Sequence, residues 1–473
     1  MIKLKDFFKV KSDYYAGVLT VLAILLLVLG IGSIFVRQPA SWYDEEIHYV
    51  RSLQIANGDI LRTKNNDNTK YGGVISINQN KFIDKAFQNK LFDKKIQAID
   101  INWEKNYTNL SYTPKQVYRI SVTAVNYMPF QYFPFVLASF LSKILKFNVS
   151  TEFILMRFFG FMVSYILILF AVRKLPFGKL TLILLALCPP YFLSISSVTA
   201  DSFVFGMIPL FLAYVVSIFY SIADSAKISK NELVKFSIVS LALTLAKPPA
   251  CLLISLVLVI AIVGRIKKIF DNRSFLALIV LICALAFITL FWLYTVRMVD
   301  GRAYFGITDA DSSGQIKFIL SHPVLAIKVF IKEISNFDFT YMQLGYADKT
   351  KYMQLPRLAS FFYVIAIFSS IFIGEKEIGN LIKSKYIKIF NFYKIFLFII
   401  IVIISFAVLY LQFTPVASDV ILGVQQRYFL PYWLLLLLVL PKFTTLDKKI
   451  ITGVVASGLV PVVYYLLFTM VQL

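Results

Sequence analysis

The chain has 473 residues, 59% of them hydrophobic, two histidines and a formal net charge of +22. A soluble globular chain is roughly 45–50% apolar, whereas here Tyr14 to Phe35 runs without a charge and matches the ~20 residues that cross a ~30 Å hydrocarbon core. Several more such runs follow, which excludes a soluble enzyme, and the cations sit in clusters between them, which accounts for the basic excess without nucleic acid.

The first run is longer than the ~7–15 residues of a signal-peptide core. The following "RQPASWYDEE" offers no small-x-small cleavage site, so the helix is expected to be retained. Basic clusters stay cytoplasmic, and they fall at Lys3/Lys5/Lys9/Lys11, Arg173/Lys174/Lys179, Lys227/Lys230/Lys235, Arg265/Lys267/Lys268/Arg273, Lys376/Lys383/Lys385/Lys388/Lys394 and Lys442/Lys448/Lys449. An even number of crossings must separate neighbouring clusters. "YMPFQYFPFVLASFLSKILKF", Tyr127 to Phe147, tests this rule: it carries Pro129, Pro134, Lys143 and Lys146, and only as an interfacial amphipathic segment does it leave the Arg173 cluster inside.

The expected spans are then 14–35, 153–172, 180–198, 203–222, 234–246, 249–263, 275–296, 357–373, 395–411, 428–441 and 450–470. The fold class is an all-α polytopic membrane protein with about eleven transmembrane helices, the N-terminus cytoplasmic and the C-terminus outside. Spans five and six meet at "LAKPPACL", whose prolines break a helix; two crossings or a re-entrant hairpin both keep the parity. The organisation reads as residues 1–36 (cytoplasmic N-terminus and first helix), 37–152 (a large extracytoplasmic loop with interfacial helices and an acidic motif), 153–296 (helices two to seven), 297–356 (a second outer loop) and 357–473 (helices eight to eleven). Cys188, Cys251 and Cys283 lie in apolar runs without metal or disulfide spacing and read as packing residues.

The outer lips carry the chemistry. Lys247, Arg297, Arg302, Arg357 and Arg427 are left at the outer boundary, on separate spans. Each can snorkel to headgroups; several at one depth suit an anionic group such as a phosphate. Asp201 in "SSVTADSF" reads either as the N-cap of the fourth span or as part of this outer site. After the first span, Asp44, Glu45 and Glu46 open "DEEIHYVRSLQIANGD", whose apolar residues at Ile47, Val50, Leu53 and Ile55 recur at helical spacing. Acids first and Gly58 last predict an interfacial helix, with Asp44, His48 and Arg51 on one face. An acidic cap explains one acid well and three poorly; a general base or an oxygen ligand for a divalent cation is the functional alternative.

"YDEEIH", "SVTAD", "LAKPP", "GYADKTKYMQLP" and "GVQQRYFLP" occur in that order over residues 40 to 435. In this the chain resembles an uncharacterised bacterial membrane-protein family grouped with the GT-C glycosyltransferases. Tyr43 stands where that family usually has proline, and a longer spacing after Asp348 departs from its pattern. The resemblance implies a GT-C-like fold. It also implies transfer of a sugar from a polyprenyl-phosphate-linked donor to a cell-envelope glycan acceptor on the extracytoplasmic face. Asp44 would be the general base of an inverting displacement, Glu45 would assist it or join it in binding a divalent cation (Mg or Mn), and His48 would orient Asp44 or touch the sugar, unless it is a packed neutral histidine. Lys247, Arg427 and Arg357 would hold the donor phosphate, with Asp201 and Arg302 as further substrate contacts. A lipid-linked glycan polymerase or ligase is the nearest rival, although such enzymes usually place their main outer loop late. A flippase of lipid-linked sugars would want mid-span charges and paired broken helices. A non-catalytic envelope scaffold gives no reason for acids and cations to share one face.

Overall fold

A computed structural model describes residues 4–39, 41–61, 63–64, 71–88, 100, 102–121, 124–246, 248–296, 310–339, 343–348, 351–374, 385–438 and 445–472. Uncharged runs fold as expected into long helices. Six are long and apolar enough to cross a membrane: α2 (Asp13–Val36), α6 (Val149–Lys174), α9 (Ala200–Ala223), α12 (Asn272–Val296), α16 (Lys385–Gln412) and the stretch Lys448–Val471. A short α1 (Leu4–Phe8) precedes them. The protein is a helical polytopic membrane protein, and these six coincide with six of the expected spans.

The other expected spans are shorter or broken, and proline is the usual reason. Residues 180–198 form α7 (Lys179–Ala186) and α8 (Pro189–Ile195), parted before Pro189 and Pro190. α10 (Lys230–Thr244) is followed by a 3₁₀ segment, Pro248–Ile254, and α11 (Ser255–Ile266). α15 (Arg357–Ser370) has 14 residues, and the tenth expected span is a 3₁₀ segment, Gln426–Trp433, followed by α17 (Leu434–Leu437). The last run is α18 (Lys448–Gly458) and α19 (Val460–Gln472). Between α12 and α15, α13 (Ser312–Ser321) and α14 (Pro323–Asn336) meet at 109°.

Contacts sort the helix ends into two sets. At one end Lys5 pairs with Asp13 at 2.9 Å, Arg173 lies over the Phe7 ring and Lys174 pairs with Glu232. There too Lys267 donates to the Ala223 carbonyl at 2.8 Å, and Lys448 lies over Tyr14. The opposite end joins Arg37 to Ser197, Arg157 to Glu45, Trp292 to Asn126 and Ser312 to Leu411. Lys5, Arg173, Lys174, Lys267 and Lys448 thus share one end, and the acidic motif lies at the other.

Small residues let α6 and α9 approach closely. Gly160 and Ser164 face Ser202 and Gly206, and the Ser164 hydroxyl donates to the Ser202 carbonyl at 2.5 Å. A Cβ on Gly206 would stand 2.9 Å from the Ser164 Cα, a backbone atom that cannot rotate away, as in small-xxx-small helix pairs. Gly206→Val should cost about 1–3 kcal/mol, read as a lowered Tm in detergent; an unchanged Tm would mean that the helices slide apart freely.

The segment between α2 and α6, expected as the first outer loop, is partly β, which the apolar periodicity did not predict. α3 (Glu45–Ala56) leads into an antiparallel sheet of β1 (Thr63–Lys64), β2 (Tyr71–Ser76) and β3 (Gln116–Ile120). Asn57 and Asp59, in the stretch closing α3, hold β2 through the Val74 carbonyl (3.1 Å) and amide (2.7 Å). A Ser76–Gln79 capping box opens α4 (Ile77–Ile83). A second antiparallel pair, β4 (Gln343–Asp348) with β5 (Lys351–Gln354), contains the Asp348 backbone.

Residues 127–147 yield a 3₁₀ turn at Pro129–Tyr132 and α5 (Phe133–Ile144), 12 residues long. Such a helix rises about 18 Å, short of a ~30 Å core. Its outward face shows Leu137, Phe140 and Ile144, while Ser139 donates at 2.5 Å to the fully buried Glu152 carboxylate, which also accepts from Gln79 at 2.9 Å. One buried acid on α6 therefore fastens both α5 and α4.

Candidate functional site

The acidic triplet sits where the chain leaves α2 and enters α3, and each acid takes a different arginine. Asp44 Oδ2 accepts from Arg427 Nη2 at 2.6 Å, a contact across 383 positions. Glu45 is gripped by Arg157 of α6, Nε to Oε1 at 2.8 Å and Nη2 to Oε2 at 2.7 Å, with neither side chain exposed. Glu46 lies 3.5 Å from Arg119 of β3, which pairs more closely with Asp84 at 2.6 Å. Three acids stand in a row because three separate elements converge on this corner.

The Arg157 fork does more than neutralise Glu45. Its remaining N–H groups donate to the carbonyls of Arg37 (2.6 Å) and Gln38 (3.0 Å), just past the end of α2. A planar guanidinium can bind a carboxylate bidentately and still serve the backbone. Glu45 Oε1 also accepts the Val198 amide at 3.1 Å. Arg37 reaches the same loop, donating to the Ser197 hydroxyl at 3.0 Å and the Ser196 carbonyl at 2.8 Å. Burial, aided by nearby Arg157 and opposed by Glu45, pushes Arg37 down to about 10, still cationic at neutral pH. The "SSVTAD" stretch is thus the hub to which the end of α2 and the start of α3 are tied.

Asp44 itself occupies the N-cap position of α3 at φ +58°, ψ 9°, and its side chain makes no capping hydrogen bond. Aspartate tolerates this left-handed region better than most residues. The acidic-cap reading therefore fails for Asp44, whose carboxylate turns to Arg427. Asp201 is likewise not the cap of its helix: Thr199 holds that position. Asp201 lies in the first turn of α9, where the helix dipole favours an acid, with Oδ2 3.2 Å from Arg427 Nη1. That contact is not aligned as a hydrogen bond, and Nη1 makes none. Gln425 takes Arg427 Nε at 2.7 Å, and the rings of Tyr43 and Tyr428 lie 4.7 and 5.3 Å from the guanidinium, within cation–π range. The Asp44 side chain is 29% exposed, against 3% for Arg427 and 6% for Asp201, so it is the member of the three most open to solvent.

His48 is buried on α3, its Nδ1 2.7 Å from the Tyr132 phenol and its ring edge-on to Tyr127. Arg51 does not share a face with Asp44, which stands outside the helix; it donates to the carbonyls of Asp59 (3.0 Å) and Ile60 (2.8 Å) and closes the far end of α3. Arg357 opens α15 with an exposed side chain and, among the described residues, makes no hydrogen bond or ion pair with the Arg427 cluster. Lys247, Arg297 and Arg302 lie outside the described residues. Asp44 and Glu45 point to different guanidinium groups, and among the described residues no group of three or more His, Cys, Asp or Glu could hold a metal ion. This donor set does not fit an oxygen-liganded divalent cation.

Sequence reasoning overlooked Arg157. Its signal was available: a single arginine inside the apolar "FILMRFFGF" must find a partner in the bundle. Arg119, Tyr127 and Tyr132 gave no comparable signal.

No curated protein and no solved structure matches the chain. Residues 27–438 match a family described as predicted membrane protein (DUF2142), a range that takes in Asp44, Arg157, Asp201 and Arg427. The chain belongs to the DUF2142 family of predicted membrane proteins.

Proposed function

We propose that the protein is a GT-C-type glycosyltransferase that moves a sugar from a polyprenyl-phosphate donor to a cell-envelope glycan on the extracytoplasmic face, with inversion. In this reading the end carrying the basic clusters is cytoplasmic and the chain crosses eleven times, the shorter and broken helices included. The observation that carries the proposal is the partly exposed Asp44 carboxylate, held at 2.6 Å by a buried arginine from the far end of the chain. Residues in such unusual backbone conformations cluster at functional sites.

The chemistry follows from these groups. Asp44 takes the proton of an acceptor hydroxyl as that oxygen bonds to the anomeric carbon. The bond from that carbon to the phosphate oxygen breaks, and the phosphate leaves with the electron pair. Arg427 keeps the Asp44 carboxylate aimed, and Nη1, which makes no hydrogen bond, is the donor available to the departing oxygen. Glu45 acts through Arg157 as a positioning residue, fixing the backbone on which Asp44 sits.

Envelope glycan from a strain lacking the protein tests the proposal. One glycosyl substituent should disappear and return with the parental gene. A lost ladder of repeats would assign polymerisation instead, and an unchanged glycan profile would end the proposal.

A further inference from the structure

The strap between β3 and α5 holds an amide with nothing to bind. Gln131, in the 3₁₀ turn Pro129–Tyr132, is fully buried, yet neither its Oε1 nor its Nε2 has a hydrogen-bond partner. On the same strap the Asn126 Oδ1 is enclosed and unpartnered. Buried polar groups are nearly always satisfied, and an enclosed primary amide with both ends empty is a departure that needs a cause. The next residue, Tyr132, meets His48 at 2.7 Å, and Tyr127 packs on the same imidazole. His48 stands one turn from Asp44, whose carbonyl accepts its amide. Burial, with Tyr127 and Asp201 adding to it, pushes the Tyr132 phenol well above its ordinary value, so it stays a protonated donor at neutral pH.

We infer that Gln131 and Asn126, with Tyr132 and His48, form a subsite for the hydroxyl groups of the donor sugar. A sugar hydroxyl both donates and accepts, and a primary amide offers one group of each kind, so adjacent hydroxyls satisfy both ends of Gln131 together. A phosphate only accepts and would leave the amide oxygen empty. Tyr127 gives the apolar face of the ring an aromatic neighbour. This inference rests on the glycosyltransferase reading and extends it from the reacting groups to recognition of the sugar.

Gln131→Met separates recognition from folding, because methionine keeps the length of the side chain and removes the unpaired amide. In purified protein the Tm should hold or rise, since an unsatisfied buried group is lost. Binding of octyl β-D-glucoside, measured in nanodiscs against an alkyl tetraoxyethylene of equal chain length, should weaken about tenfold, while Asp44→Asn should bind it as the parent does. In transfer assays Gln131→Met should raise KM for the donor and Asp44→Asn should lower kcat. A fall in the Tm of Gln131→Met, or parental glucoside binding, would overturn the subsite. If the parent itself transfers no sugar, the enzymatic reading fails, and the glucoside and Tm measurements still decide whether the strap binds hydroxyls.

Discussion

Replacing Arg157 by methionine should destabilise the protein by about 3–5 kcal/mol. The variant strands Glu45 as a buried carboxylate without counter-charge and removes the donors to the Arg37 and Gln38 carbonyls. Lysine should rescue only in part: one ammonium group cannot span both carboxylate oxygens and two carbonyls. The loss should appear as reduced accumulation in membranes and a lowered Tm in detergent.

A double-mutant cycle separates the ion pair from its surroundings. Arg157→Met and Glu45→Leu should each be severe alone, and together less damaging than their sum, with a coupling of about 2–3 kcal/mol. The double variant should still fall short of the parent, because the Val198 amide and the two carbonyls remain unserved. Additive effects would mean that Glu45 and Arg157 are held by separate forces, and Asp44 would then lose its anchor in this scheme.

Hydropathy made the long helices legible, since an uncharged run of two dozen residues has few fates. The same criterion failed at residues 180–198, where Pro189 and Pro190 part α7 from α8 inside an apolar stretch. The ends of α3 were readable from local chemistry: acids at its start, and Gly58 at φ +101° past its end. The small three-stranded sheet was not, because its strands mix polar and glycine residues. For the site, charge patterning named Asp44, Asp201 and Arg427 without saying that they touch. Separations of 112 residues for Glu45–Arg157 and 383 for Asp44–Arg427 are set by helix packing, which a single sequence does not encode locally. Arg357 shows the converse: a cation at the expected boundary whose side chain stays exposed.

Asp44→Asn should lower transfer by about 10²–10⁴-fold while leaving the fold intact. Asparagine keeps the shape, tolerates the left-handed backbone at φ +58°, and can still accept from Arg427 through its amide oxygen. Only the charge and the basicity are lost, so accumulation and Tm should match the parent. Arg427→Met differs in kind: it leaves Asp44 and Asp201 facing each other without the cation between them, and should reduce both Tm and transfer. Adding Asp201→Asn to Arg427→Met should recover stability, by removing one uncompensated acid, without recovering transfer. If Asp44→Asn transferred sugar at the parental rate, the carboxylate would be only a tether for Arg427, and the base would have to be sought elsewhere on the same face.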